Sequence, residues 1–147
     1  MQIGMELTPE YIVGLIDGEG SFTVYVRDPS DTRPRKRRVT VEPRFYLKLT
    51  EEDKPILDVL KKYFKCGNVY FQGDKRANHK DCYRYEVANQ YDLQTIIIPF
   101  FIRHQPHFPS KARDFSVFCE MMRNIGRKEH LTHDGYRKLW KLKQTMH

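Results

Sequence analysis

The chain has 147 residues, 39% of them hydrophobic and 13% aromatic, enough for one domain with a real core and too few for two of ordinary size. Lysine and arginine number 26 against 19 acidic residues, and a formal charge of +7 points to a polyanionic partner. No apolar run approaches the roughly 20 residues that span a bilayer, so nucleic acid stands ahead of a membrane.

Thr8, Pro9 and Glu10 read as a helix start: a hydroxyl cap, a proline at the first position and an acid in the first turn. This helix is expected to run to about Gly18. Ser21 to Arg27 alternates strictly, with Phe22, Val24 and Val26 on one face. A basic connection leads into a second alternating segment from Lys36 to Leu49, with Pro43 suggesting an irregularity or an edge. Glu51 to Phe64 reads as a helix with Ile56, Leu57, Leu60 and Phe64 as its stripe. Asn68–Gln72 and Cys82–Val87 form a second predicted hairpin. A short helix follows, ending near Pro99. A further helix starts near Ser110 with Phe115, Phe118 and Met122 at core spacing, and Thr132 caps a last one. The order is αββαββα plus C-terminal helices, an α+β domain of two hairpins covered by helices on one side. The whole of 1–147 reads as a single domain. The start, MQIGMELTPE, lacks a basic-then-apolar leader, and Cys66, Cys82 and Cys119 form no CxxC pair. Both features predict an intracellular protein with reduced thiols. His104 with His107, and His130 with His133, stand three apart but have no cysteine close by, a weak case for zinc.

The stretch YIVGLIDGEG, Tyr11 to Gly20, is unusual. Tyr11 to Ile16 has no polar back, although a surface helix normally shows one. One side can pack on the chain's own core. The other, where Gly14 and Gly18 leave a smooth stripe beside Tyr11 and Leu15, asks for another backbone. A second copy of the chain satisfies that need and predicts a symmetric homodimer.

IVGLIDGEG, Ile12 to Gly20, resembles the signature of the LAGLIDADG homing endonucleases, and the αββαββα order is similar to their fold. The resemblance implies a site-specific, double-strand DNA endonuclease, encoded by an intron in many members, acting on a long near-palindromic site. It places the protein inside the cell with DNA, in an organelle or the prokaryotic cytoplasm. Single-motif members act as homodimers, in agreement with the apolar helix. Glu19 takes the metal-ligand position, with Glu where Asp is commoner, and the Gly18 carbonyl lies beside it. The ion is Mg²⁺, or another divalent cation such as Mn²⁺ or Ca²⁺. Asp17 reads as a structural acceptor for backbone amides at the helix end or as support for the site. Lys111, in SKARDF, matches the family's lysine near the reacting phosphate, with Arg113 close by. The polar residue usual at the end of the second strand falls on Leu49, so Thr50 or Glu51 would have to replace it. The same fold also serves RNA-binding intron maturases and non-cleaving DNA-binding proteins, so RNA remains a partner to test.

From Arg27 to Lys48 there are eight bases and three acids. Alternation puts Tyr25, Arg27, Arg38, Thr40, Arg44, Tyr46 and Lys48 on the polar face of the first hairpin. On the second it puts Asn68, Tyr70, Gln72, Arg84 and Glu86 there. Arginine, asparagine, glutamine and glutamate on a twisted sheet suit base edges in a major groove. Arg35 and Lys36, in the connection, suit phosphates.

Overall fold

The computed structural model describes residues 6–34, 39–73, 76 and 79–147; the predicted contacts Arg35, Lys36 and Arg38 lie outside the described residues. Helix α1, Pro9–Glu19, starts as its sequence dictates, with Thr8 Oγ1 accepting the Tyr11 N–H at 3.2 Å. Strand β1, Gly20–Val26, follows without a loop and pairs antiparallel with β2, Val41–Thr50. After a single 3₁₀ turn comes α2, Lys54–Phe64, and then the hairpin of β3, Asn68–Gln72, and β4, Cys82–Val87. The sheet order is β1-β2-β4-β3, so the two hairpins join through β2 and β4.

One face of the sheet carries the helices: α1 on β1 and β2, α2 on β4 and β3, and α5, Pro109–Gly126, on β1. The last helix, α6, His133–Gln144, packs on α5 and β1, covering an edge that would otherwise stay open. Thr132 caps it as predicted. Phe22 sits at the centre of the core, its ring 4.9–5.6 Å from those of Phe45, Phe101, Phe115 and Phe118. Leu57, Leu60 and Phe64 form the buried stripe of α2, with Ile56 only half-buried. Among the described residues no helix is long and apolar enough to cross a membrane.

Two boundaries differ from expectation. The second strand begins at Val41, leaving out Val39 and Thr40, because β1 ends at Val26, whose partner is Val41; 36–38, the start of the predicted strand, lie outside the described residues. Upstream, Val39 is 50% exposed, with no strand to pair with. Pro43 is buried opposite Val24, on the part of β2 flanked by β1 alone, where a missing N–H is tolerated. Nor does Pro99 end its helix. The segment continues through α3, Gln90–Asp92, a π turn over Leu93–Ile97, and α4, Ile98–Arg103. The widened turn, closed by Ile98 N–H on Leu93 O, lets Pro99 stand at the start of a new helix, where no N–H is needed.

Gly67 turns the chain into β3 at φ +81°, and a Cβ there would lie 2.7 Å from the Glu86 carbonyl oxygen. The same corner is pinned by Tyr85 Oη–H donating to Cys66 O at 2.8 Å. Gly67→Ala is therefore expected to cost about 1–3 kcal/mol, read as a lower urea midpoint at unchanged slope. A shift below about 0.5 kcal/mol would show that this corner relaxes freely.

Candidate functional site

The register of the four strands settles which side chains share the open face. Ser21 faces Tyr46, Thr23 faces Arg44 and Tyr25 faces Glu42. Tyr46 then faces Glu86 and Lys48 faces Arg84, while Asn68 and Tyr70 face Glu86 and Arg84 from the far edge. Arg44, Tyr46, Lys48, Asn68, Tyr70, Gln72, Arg84 and Glu86 thus come together on the face away from the helices, as alternation predicts. The middle of this face is already organised. Arg44 pairs with Glu42 at 3.0 Å and with Glu86 at 3.3 Å, and Arg84 pairs with Glu86 as well. The Arg84 guanidinium also lies 4.2 Å from the centroid of the Tyr46 ring. Lys48 stands directly opposite Arg84, whose charge is already met by Glu86, and is exposed on this face.

Arg27 stands apart from this row, and Thr40, which precedes β2, accepts the Arg27 N–H through its carbonyl at 2.9 Å. The Arg27 guanidinium turns to the carbonyls of Asp31 and Arg33 and pairs with Asp31 at 3.8 Å, bracing the loop that leaves β1. One residue was missed: Lys143 of α6, whose Nζ donates to Thr23 Oγ1 at 2.9 Å on the open face. Its half-buried site pushes the Lys143 ammonium below the ordinary lysine range. Helical spacing places Lys143 on α6, but only the packing of α6 over β1 turns it towards the sheet.

At one end of this face α1 passes into β1. The Gly20 N–H closes the helix on Ile16 O, leaving the carbonyls of Asp17, Gly18 and Glu19 without a partner inside the helix. No basic residue occupies the last turn, and Glu19 adds an exposed carboxylate where the helix dipole is already negative. A carboxylate beside the last carbonyls of a helix, all hard oxygens, fits a divalent cation such as Mg²⁺, which takes few protein ligands and completes its shell with phosphate and water. Among the described residues no cluster of three or more histidines, cysteines, aspartates or glutamates offers a competing site.

Lys111 reaches this corner from α5, its Nζ donating to Gly20 O, one residue beyond Glu19. Arg113, two positions on, leaves the helix on another side and is exposed. Asp17 is only 6% exposed and accepts backbone N–H groups of His107, at 3.0 and 3.1 Å, and Phe108, at 3.3 Å. Its amides come from a distant loop rather than from its own helix end. Thr50 and Glu51 lie three residues and more past Leu47, the partner of Gly20, and Glu51 N–H is tied to Asp81 O. Leu49 belongs to the helix-covered side and is half-buried, while Lys48, its neighbour on β2, is exposed on the open face.

The opposite side of α1 is bare. Ile12, Val13 and Ile16 are buried, whereas Tyr11 is 50% exposed, Gly14 and Gly18 are exposed and Leu15 is half-buried. A Cβ added at Gly14 or Gly18 would meet nothing within 4 Å.

Two antiparallel hairpins backed by helices, led by a glycine-striped helix that ends in an acid, define the αββαββα homing-endonuclease fold. A profile of the LAGLIDADG endonucleases matches residues 12–122, and the chain belongs to that family. A probable intron-encoded endonuclease of Neurospora crassa is 29% identical over 143 residues, covering 97% of this chain and 25% of the relative. The chain thus spans about a quarter of that curated relative. Among solved structures, the homing endonuclease I-TnaI is 32% identical with a TM-score of 0.77, covering 97% of this chain and 89% of that one. I-SmaMI, solved on uncleaved DNA target in the presence of calcium ions, is 31% identical with a TM-score of 0.78, covering 96% of this chain and 45% of that one.

Proposed function

We propose that the chain is a sequence-specific DNA endonuclease that uses a divalent metal and acts as a homodimer on a long, near-palindromic site. The observation that carries this reading is the corner where α1 ends in the exposed carboxylate of Glu19 and the Lys111 ammonium is tied to Gly20 O, at the end of a polar sheet. In the homodimer, Tyr11, Gly14, Leu15 and Gly18 pack against the same stripe of a second copy, bringing two such corners together. The match of this chain to about half of I-SmaMI, whose structure holds DNA, supports two copies doing what one longer chain does. As one domain the chain would sit with its DNA, in an organelle or the prokaryotic cytoplasm.

A bound Mg²⁺, with Mn²⁺ or Ca²⁺ as substitutes in the site, supplies charge neutralisation and a polarised water. Glu19 and the Gly18 carbonyl are the groups that would hold such an ion. The Lys111 ammonium exchanges its bond to Gly20 O for the phosphate oxygens as negative charge builds on them. The open face fixes register. Arg44, Gln72, Arg84 and Glu86 offer paired donors or acceptors to base edges, and the ion pairs among them hold the arginine heads before binding, so less side-chain freedom is lost on DNA. Lys48 and Lys143 suit phosphate.

Incubation with a randomised duplex pool and Mg²⁺, followed by sequencing of cut ends, tests the whole reading. Recurrent ends sharing one extended sequence are expected; an intact pool overturns it. Arg44→Ala should then cost about 1–3 kcal/mol of discrimination at one symmetric position of the recovered site, measured against single-base variants. A uniform loss over all variants would make Arg44 a phosphate contact instead, and selective retention of folded RNA would favour a maturase.

A further inference from the structure

We infer that Asp17 is a positioning residue that sets Lys111, a role resting on the cleavage reading above. Helix α5 starts poorly by itself. Phe108, at the cap position, offers no side-chain acceptor, and the first turn contains no acid. What it does contain is Lys111, a cation at the positive end of the dipole. Asp17 supplies the missing acceptor from another helix. Its carboxylate takes the N–H groups of His107 and Phe108, 90 and 91 positions along the chain.

A second tie lies three residues on in each segment, where Lys111 Nζ donates to Gly20 O. Residues 17–20 and 108–111 are thus stapled at both ends, with Glu19 between the staples. The Asp17 carboxylate is nearly buried and faces the loop amides, so its part is to hold the loop and to deliver the lysine to one place. A looser loop would let Lys111 swing by more than the few tenths of an ångström that a positioned catalytic group tolerates.

The test is a double-mutant cycle on cleavage, with metal-free DNA affinity and the urea midpoint as controls. Lys111→Ala and Asp17→Asn should each slow cleavage about 10²-fold, while the double variant is no slower than Lys111→Ala alone. Losses that multiply to about 10⁴ would overturn the inference, since Asp17 would then act independently of Lys111.

Phe108→Pro covers the case in which Asp17→Asn fails to fold, and it leaves the charge near Glu19 untouched. Phe108 has φ −67°, which proline adopts without strain, so that change removes one donated N–H. Phe108→Ala keeps the N–H and controls for the ring. Phe108→Pro should cleave at least several-fold more slowly than Phe108→Ala, with the difference gone in a Lys111→Ala background. Equal rates would overturn the staple. Should the unaltered protein cut nothing in the randomised pool, the cleavage reading falls and this inference with it; cutting with multiplying losses removes the inference alone.

Discussion

Glu19→Gln is expected to abolish cleavage while making the protein slightly more stable. The side chain keeps its volume and loses its charge. With that charge goes the exposed acid beside the last carbonyls of α1, and the rate should fall by roughly three orders of magnitude, about 4 kcal/mol of barrier. Stability moves the other way. An acid at a helix C-terminus opposes the dipole, and no base in the last turn offsets it here. Neutralising it should raise stability by about 0.3–1 kcal/mol at low salt, less at high salt. DNA affinity without metal should hold or rise, because one negative charge near the phosphates is gone. Cleavage near the unaltered rate with Mg²⁺ would move the metal to another acid. A lower urea midpoint would show that Glu19 is part of the fold instead.

Gly14→Leu should likewise separate two properties, folding of the subunit and pairing of subunits. In one chain a Cβ at this position meets open space, so the leucine has room. It also removes a mid-helix glycine, worth roughly 0.5–1 kcal/mol towards the helix. The subunit should therefore unfold no earlier than before. Against a second copy of α1, the same leucine fills the groove that lets two backbones approach. Light scattering at micromolar concentration should then report a monomer, and cleavage of both strands should disappear. A dimer that survives with full activity would place the interface elsewhere. A monomer that still cuts both strands would remove dimerisation from the mechanism.

Most of the fold is legible in the sequence, because each element carries a strong local signal. Strict alternation places β1, since a one-residue slip would put Phe22 into water, and two short runs joined by a charged loop mark the second hairpin. The cap at Thr8 and the stripe of α2 are decided within a few residues. The two errors arose where local signals are answered by distant partners. Val39 continues the alternation of the second strand, yet it lies outside that strand, because β2 begins at Val41, the partner of Val26 at the end of β1. Pro99 looks like a stop, yet a widened π turn absorbs it.

The site divides in the same way. By itself the sequence determined the acid-ended helix, the glycine stripe and the polar face of the strands, because helical and strand periods place those residues without reference to the rest of the chain. Only tertiary structure decided that Lys111 reaches Gly20, that Asp17 caps a helix about 90 residues away and that Lys143 turns onto the sheet. Those contacts depend on how α5 and α6 pack against β1. That packing is set by the core, in which Phe115 and Phe118 of α5 meet Phe22 of β1 and α6 buries Leu139, residues scattered over the chain that meet only when it folds.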